Sequence, residues 1–192
     1  MRLGFPVLCS GAWLFCKFFC KQKALIFAQK CKYFRYMNTT LRRIDRALSE
    51  EAAMQVAENA QYGVLSIMGN DGYPYAVPLN FVKCGEYFYA HCAKEGKKLD
   101  SIALANKVCI NFVETASAIP EKFSFAYKSA TLFCTASTVS DQAEKVCALK
   151  KLIEKYSPDF IEKGYEYVAR SADKAAVLRF KIEGISGKER KR

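Results

Sequence analysis

The spacing of apolar residues after about residue 48 predicts a short amphipathic helix at the start of a globular domain. Ala53, Val56, Ala57 and Ala60 recur at the i, i+3, i+4 and i+7 positions of one helical face. Ser49 precedes this face as a capping residue, and the two acids that follow it lie where the positive end of the helix dipole stabilises them. We therefore expect a helix that begins directly after Ser49 and buries one face.

Runs of β-branched and aromatic residues then predict antiparallel strands joined by tight turns. The first run covers residues 62–68, and the Asp71-Gly72 pair after it is typical of a hairpin. The second run, residues 75–82, contains Pro78, which has no backbone N–H to donate to a neighbouring strand. This strand must therefore be interrupted, bulged or at the edge of the sheet at Pro78.

The remainder of the chain continues this pattern of strands and adds helices. Asp141 and Glu144 have the spacing of a capping box, which begins a helix that ends near Tyr156. Six or seven antiparallel strands with three or four helices give a mainly β, α+β domain, and a small closed β-barrel is favoured because it removes exposed sheet edges. The further expected strands are 87–92, 108–113, 123–127, 130–139 and 176–182, and the further helices are 99–105 and 160–171.

The net charge of +11 suggests nucleic-acid binding, but most of the excess lies outside the predicted domain. Residues 1–36 carry seven Lys and Arg residues and no acid, which leaves only +4 for residues 37–192. Part of that remainder is the tail Lys188-Glu-Arg-Lys-Arg192. Because the body of the domain is close to neutral, we expect no nucleic-acid partner.

Residues 1–36 form a basic, hydrophobic extension of unusual composition. Its uncharged run from Leu3 to Cys16 has 14 residues, whereas a membrane span needs roughly 18–20. No clear signal-peptide cleavage site follows. Two interpretations remain open: a membrane-surface segment, or translated upstream sequence with Met37 as the real start. Ordinary composition begins at Met37, which favours the second, so we expect a domain over 37–188, a basic tail at 189–192, and no membrane contact for 37–192.

Nine cysteines and one histidine restrict the metal and redox chemistry of the chain. No two cysteines have the C-x-x-C spacing, so neither a zinc site nor a thiol redox motif is expected. A single histidine excludes a histidine-rich metal centre. In a reducing compartment, unclustered cysteines act as small, half-buried hydrophobic residues. The cysteine spacing therefore predicts a cytoplasmic protein without a metal.

The segment Gly96-Lys97-Lys98 is the strongest candidate for chemistry. It lies where a loop meets the start of a predicted helix, directly after the strand that ends in His91-Cys92. Two adjacent lysines beside free backbone N–H groups suit a dianionic phosphate. Taken alone, this pattern is more often a solvated surface loop. The chain lacks G-x-G-x-x-G and G-x-x-x-x-G-K-[ST], which excludes Rossmann and P-loop sites.

The order of motifs along the chain resembles the pyridoxamine-5′-phosphate-oxidase-like flavoproteins. It is most similar to the branch that contains the nitroimidazole-resistance (Nim-type) reductases, and the resemblance runs from about Leu41 to Lys188. The motifs that carry it are Leu-Arg-Arg-Ile-Asp-Arg, Tyr-Pro-Tyr-Ala-Val-Pro-Leu-Asn, Tyr-Phe-Tyr-Ala-His-Cys-Ala-Lys-Glu-Gly-Lys-Lys-Leu-Asp, Lys-Val-Cys-Ile-Asn-Phe, Ile-Pro-Glu-Lys-Phe and Ile-Ser-Gly-Lys.

This resemblance implies a six- to seven-stranded antiparallel split β-barrel that forms a homodimer, with FMN in a groove between the subunits. The basic pair would hold the FMN phosphate, the second strand would run along the flavin ring, and His91 would stand beside the ring as a proton donor to a reduced nitro oxygen. The implied cofactor-binding residues are Tyr75, Val77, Pro78, Leu79, Asn80, Ala90, His91, Lys97, Lys98 and Ser129.

The sequence departs from the family pattern at two places. The usual Asn-Pro before Lys107 is Ala105-Asn106, which loosens a turn. The usual glycine in the strand of Ser129 is Cys134, which could crowd a close backbone approach. Neither change removes an implied phosphate or ring contact.

The implied activity is FMN-dependent reduction of a small acceptor, such as a nitroaromatic, with NAD(P)H as the hydride donor. A non-catalytic module of the same fold that binds or senses flavin, haem or pyridoxal phosphate is the alternative. Oxidation of pyridoxamine phosphate itself is disfavoured, because no second phosphate-binding cluster of arginines is present.

Overall fold

The computed structural model describes residues 41–192, so the expectations for the extension 1–36 and for a start at Met37 lie outside the described residues. Seven strands and four α-helices make up the described part. The strands are β1 (Gly63–Met68), β2 (Pro74–Leu79), β3 (Val82–Cys84), β4 (Tyr87–Cys92), β5 (Lys107–Ile119), β6 (Ser124–Thr138) and β7 (Ala176–Arg190), and the helices are α1 (Glu50–Asn59), α2 (Lys97–Leu104), α3 (Gln142–Tyr156) and α4 (Ile161–Ser171).

All seven strands pair antiparallel in one sheet, in the order β2-β1-β5-β6-β7-β4-β3. The two edge strands, β2 and β3, are joined by only Asn80 and Phe81. Because this connection is so short, the sheet has to curl until its two edges approach each other. The predicted split barrel, mainly β with flanking helices, is confirmed.

Aromatic side chains from distant strands fill the inside of the curl. Phe81, Phe112 and Phe180 are fully buried, and the ring centroid of Phe81 lies 5.4 Å from that of Phe112 and 5.5 Å from that of Phe180. Helix α1 adds its small residues, among them Ala53 and Ala57, to the same cluster. Small side chains on this helix face allow the close approach, and the predicted helix with its buried face is confirmed.

The two longer helices cover the outer face of the sheet beside β3 and β4. Leu149 and Leu152 of α3 and Val168 of α4 pack with Val82 and Tyr89 in a second buried cluster. Asp141 Oδ1 accepts a hydrogen bond from Glu144 N at 2.7 Å, as a helix cap should. The Glu144 carboxylate accepts from the Tyr89 hydroxyl and the Arg179 guanidinium, so it ties α3 to the sheet.

Strands β5, β6 and β7 are longer than predicted, and β6 is one continuous strand. The separate segments 123–127 and 130–139 are wrong, because the structure has one strand from Ser124 to Thr138. Strand β5 also extends past residue 113 to Ile119, and β7 extends past residue 182 to Arg190. In these added residues, small and polar side chains do not alternate with apolar ones. Backbone hydrogen bonds between neighbouring strands, and not the burial of one face, therefore stabilise this part of the sheet.

The structure shows how the chain accommodates Pro78, the Ala105-Asn106 turn and Cys134. Pro78 lies in an edge strand, as its missing N–H requires. The Ala105-Asn106 turn is fixed by a hydrogen bond of 2.8 Å from Ala136 N to Asn106 O. The side chain of Cys134 is accommodated in the main core, where burial raises the pKa of its thiol to about 12. Within residues 41–192, no helix has the length and apolar character needed to cross a membrane.

Candidate functional site

The lysine pair lies in the first turn of helix α2, which begins two residues earlier than the sequence predicts. Gly96 precedes it with a positive φ of 125°, which residues with a Cβ rarely adopt. No side chain caps this helix start. The first backbone N–H groups of α2 and the two lysines therefore lie in one helical turn, an arrangement that favours a phosphate.

Lys97 connects this helix start to the hairpin between β1 and β2. Its Nζ lies 2.8 Å from Asp71 Oδ2 in the hairpin turn and 5.3 Å from the centre of the Tyr75 ring. Asp71 also accepts a hydrogen bond from Tyr73 N. Both contacts hold the pKa of Asp71 below its ordinary value, the hydrogen bond with Lys97 contributing most. Tyr75 and Lys97, two of the predicted site residues, are thus brought together.

Lys98 is more enclosed than its neighbour. It is half-buried, whereas the Lys97 side chain is 43% exposed. Burial raises the pKa of the Cys92 thiol, and the nearby Lys98 ammonium offsets part of that rise. The two lysines therefore have different surroundings: Lys97 contacts the hairpin turn, and Lys98 lies near Cys92.

Strand β2 offers backbone groups beside the lysine pair. Its side chains alternate: Tyr75, Val77 and Leu79 pack against the main core, while Pro78 is exposed. On its outer side no strand pairs with β2 within residues 41–192. An edge strand leaves N–H and C=O groups free for a ligand. The side chains of Val77 and Leu79 face the core, so their contribution to a site would come from the backbone.

The far end of β2 is held in place by two residues that sequence reasoning missed. Lys155 Nζ donates to the backbone oxygens of Ala60 and Phe81 at 3.1 and 2.9 Å. The Tyr156 hydroxyl accepts from Phe81 N at 3.0 Å and donates to Phe81 O at 2.9 Å. Asn80 donates to the Gln61 oxygen at 3.3 Å. A lysine and a tyrosine at a helix end do not by themselves indicate such a role.

We expect Tyr156→Phe to lower the free energy of unfolding by about 1–2 kcal/mol, because the Phe81 N–H loses its partner in a partly buried place. Urea unfolding followed by circular dichroism measures this. Tyr167→Phe is the matched control, since Tyr167 is 62% exposed on α4. Equal stabilities for the two variants would contradict the role assigned to Tyr156.

The predicted residues of β4 lie on opposite faces of that strand. Ala90 is fully buried in the main core, so its side chain does not line a ligand site. His91 is exposed on the other face and pairs across the sheet with Val177. Only four residues separate the end of β4 from the start of α2, so His91 lies shortly before the lysine pair along the chain.

Ser129 is not brought to the other candidate residues within one chain. It is half-buried on β6, opposite Val113 and Lys188. Three strand spacings separate β6 from β2 in the sheet, which amounts to about 14 Å. Its neighbour Ala130 points into the core, so Ser129 faces the outer side of the sheet.

These observations define a split-barrel protein with a cationic helix start beside an edge strand. The chain belongs to the family described as pyridoxamine 5′-phosphate oxidase, whose sequence model matches residues 49–189. The comparison with curated proteins gave no match.

Solved structures with the same fold include three relevant examples. A candidate 5-nitroimidazole antibiotic resistance protein from Bacteroides thetaiotaomicron is 22% identical, with a TM-score of 0.62 over 74% of this chain and 85% of that one. The flavocytochrome Anf3 from Azotobacter vinelandii is 20% identical, with a TM-score of 0.68 over 80% and 73%. A FAD and heme binding protein from Mycobacterium smegmatis is 20% identical, with a TM-score of 0.63 over 75% and 72%.

Proposed function

We propose that this protein is an FMN-dependent oxidoreductase that reduces a small acceptor with NAD(P)H. The observation that carries the proposal is the contact between Lys97 and Tyr75, which joins the lysine pair at the helix start to the edge strand β2. A phosphate at the helix start and a flat ring along β2 would then belong to one ligand. Two of the solved structures with this fold are named as flavin proteins, which agrees with the proposal.

The described residues fit the phosphate end of such a cofactor. Lys97 and Lys98 neutralise the doubly charged phosphate, and the free N–H groups at the start of α2 add hydrogen bonds. Asp71 opposes binding in part, because its carboxylate occupies Lys97. Binding requires Lys97 to exchange this carboxylate for phosphate.

The ring end of the cofactor is assigned to β2. Backbone groups from Val77 to Asn80 would meet the polar edge of the flavin, and the Asn80 side chain would add to this contact. Lys155 and Tyr156 act through Phe81, whose backbone they fix, and are therefore positioning residues. FMN held by these residues would supply the redox chemistry for transfer of reducing equivalents from NAD(P)H to the acceptor.

A pocket beside Asn80 suits a small acceptor. It encloses about 570 Å³, which falls within the ordinary range for small-molecule sites. Its lining offers the Gln61 amide and the Tyr62 hydroxyl, which can orient a nitro or carbonyl oxygen. The lining residues are Asn59, Gln61, Tyr62, Asn80, Lys155 and Tyr156. We assign the proton transfer to the reduced acceptor to His91, because an imidazole side chain can act as a general acid.

A second copy of the chain is needed to bring Ser129 to a flavin. Ser129 faces outward, next to the exposed Val113, and the tip of the β5–β6 arm exposes Phe123 and Phe125. Exposed apolar side chains close together are typical of protein interfaces. We assign this face to a homodimer in which Ser129 of one subunit contacts the cofactor bound by the other.

Anaerobic reduction followed by reoxidation tests the activity. We expect NADPH or NADH to bleach the flavin absorption of the FMN-loaded protein, and a nitroimidazole to restore it. His91→Gln should keep FMN and slow the reoxidation. A flavin that stays oxidised with both nicotinamides would overturn the enzymatic assignment and leave a binding or sensing module.

Asp71→Asn is expected to raise the affinity for FMN by up to about fivefold, the scale on which exposed ion pairs act. Lys97 loses its competing carboxylate, while the amide oxygen of asparagine can still accept from Tyr73 N and keep the turn. Fluorescence titration of free FMN measures the affinity. Asp159→Asn, an exposed change beside α3 and α4, is the control. A weaker affinity in the Asp71 variant would contradict the competition.

A further inference from the structure

Two cysteines that are distant in sequence meet where helix α3 packs on strand β3. Cys84 is the last residue of β3 and is half-buried against the second core cluster, which contains Ala148 and Leu149 of α3. Cys147 lies next to these residues on the helix and is exposed. Both are free thiols, and the Cys147 side chain is one of the groups that raise the pKa of the Cys84 thiol.

The charged groups around Cys84 identify the helix face that covers it. Cys147, Lys151 and Glu154 occupy the i, i+4 and i+7 positions of α3 and therefore share one face. Burial raises the pKa of the Cys84 thiol most, Cys147 and Glu154 raise it further, and the Lys151 ammonium lowers it. All three side chains act on the same sulfur, so this face borders the place where Cys84 packs against α3. Lys151 is fixed there by an ion pair of 2.6 Å with Glu154.

We propose that Cys84 and Cys147 form a reversible disulfide, a redox modification site that links the edge strand β3 to helix α3. A peroxide is the oxidant. The exposed Cys147 thiolate attacks one peroxide oxygen, the O–O bond breaks, and a sulfenic acid forms with release of water or alcohol. The Cys84 sulfur then attacks the Cys147 sulfur, the S–O bond breaks, and a second molecule of water leaves. Two thiols are oxidised and one peroxide is reduced.

The other cysteines among residues 41–192 do not offer an equivalent pair. Cys92 and Cys134 are buried in the main core. Cys109 lies on β5, where its cross-strand partner is Phe133, so its side chain and that of Cys134 point to opposite faces of the sheet. Cys109 is therefore a suitable control for a half-buried thiol without a partner.

The linkage can be read directly from peptides of the full-length protein. After treatment with a small excess of hydrogen peroxide, free thiols are alkylated and the chain is cut with trypsin without reduction. We expect the peptide that begins at Cys84 to be joined to the peptide 146–150, two hydrogens lighter than the separate peptides together. Fragmentation separates Cys84 from Cys92, which lies in the same peptide, and dithiothreitol reverses the link.

Thermal unfolding gives a second readout. Closing the long loop between β3 and α3 should raise the unfolding midpoint by about 5–10 °C in the oxidised protein. Cys147→Ser and Cys84→Ser should each abolish the linked peptide and this rise, whereas Cys109→Ser should keep both. Oxidation of Cys147 to a sulfinic acid or to a mixed disulfide while Cys84 stays free would overturn the proposal. A link between Cys147 and any other cysteine would do the same.

Discussion

Replacing Lys97 and Lys98 together by alanine is expected to weaken FMN binding at least a hundredfold. Each lysine contributes a charge-assisted contact to the phosphate, and such contacts are worth about 1.5–3 kcal/mol each. The start of α2 has no capping side chain, so nothing else there replaces the lost ammonium groups. Titration of the apoprotein with FMN, followed by the change in flavin fluorescence, measures the loss.

Lys94→Ala is the matched control for this experiment. Lys94 is an exposed lysine of the same loop and lies before the helix start. Its loss should change the affinity by less than about threefold, because an exposed charge away from the phosphate is screened by solvent. Similar affinities for the double variant and for the Lys94 variant would show that the phosphate binds elsewhere.

Phe81→Ala is expected to lower the free energy of unfolding by about 3–5 kcal/mol, the usual cost of deleting a buried aromatic ring. Phe81 is one of only two residues between the edge strands β2 and β3, and it is fully buried. Its ring makes edge-on contacts with Phe112 and Phe180. The variant therefore loses the contact that joins the two edges of the curled sheet, and urea unfolding should show an earlier midpoint.

The exposed Phe160 provides the comparison for this substitution. It is 60% exposed at the junction of α3 and α4, so Phe160→Ala should cost less than about 1 kcal/mol. If Phe81→Ala cost no more than this control, the connection between β2 and β3 would not be the closure of the barrel. If Phe81→Ala lowered the free energy of unfolding strongly but left the FMN affinity unchanged, Phe81 would close the barrel without positioning Asn80.

The parts of the fold that depend on local patterns could be predicted from the sequence. The apolar spacing from Ala53 to Ala60 and the cap at Ser49 identify α1, and both are present in the structure. Pro78 predicts an interruption, a bulge or an edge, and the sheet order selects the edge. The long β6 could not be predicted as one strand, because its polar residues near Lys128 lack the alternation of a half-buried strand.

The candidate site could be predicted only where one segment carries its chemistry. The Lys97-Lys98 pair is visible in the sequence, but its contact with Asp71 depends on how α2 meets the first hairpin. The roles of Lys155 and Tyr156 depend on the packing of α3 over the β2–β3 connection.

The pairing of the cysteines also could not be predicted from local sequence patterns. Their sequence spacing indicates no thiol pair, and the contact of Cys84 with Cys147 arises only when α3 lies on β3. Long-range contacts of this kind are fixed by the shape of the whole sheet. No pattern within a single segment encodes them.

Binding of FMN at the lysine pair is tested by the visible absorption spectrum of the correctly folded protein after incubation with excess FMN and removal of the unbound cofactor. We expect a yellow protein with about one flavin per chain, and a colourless Lys97→Ala/Lys98→Ala variant that keeps the same circular dichroism. A native protein that stays colourless would show that this chain does not bind FMN.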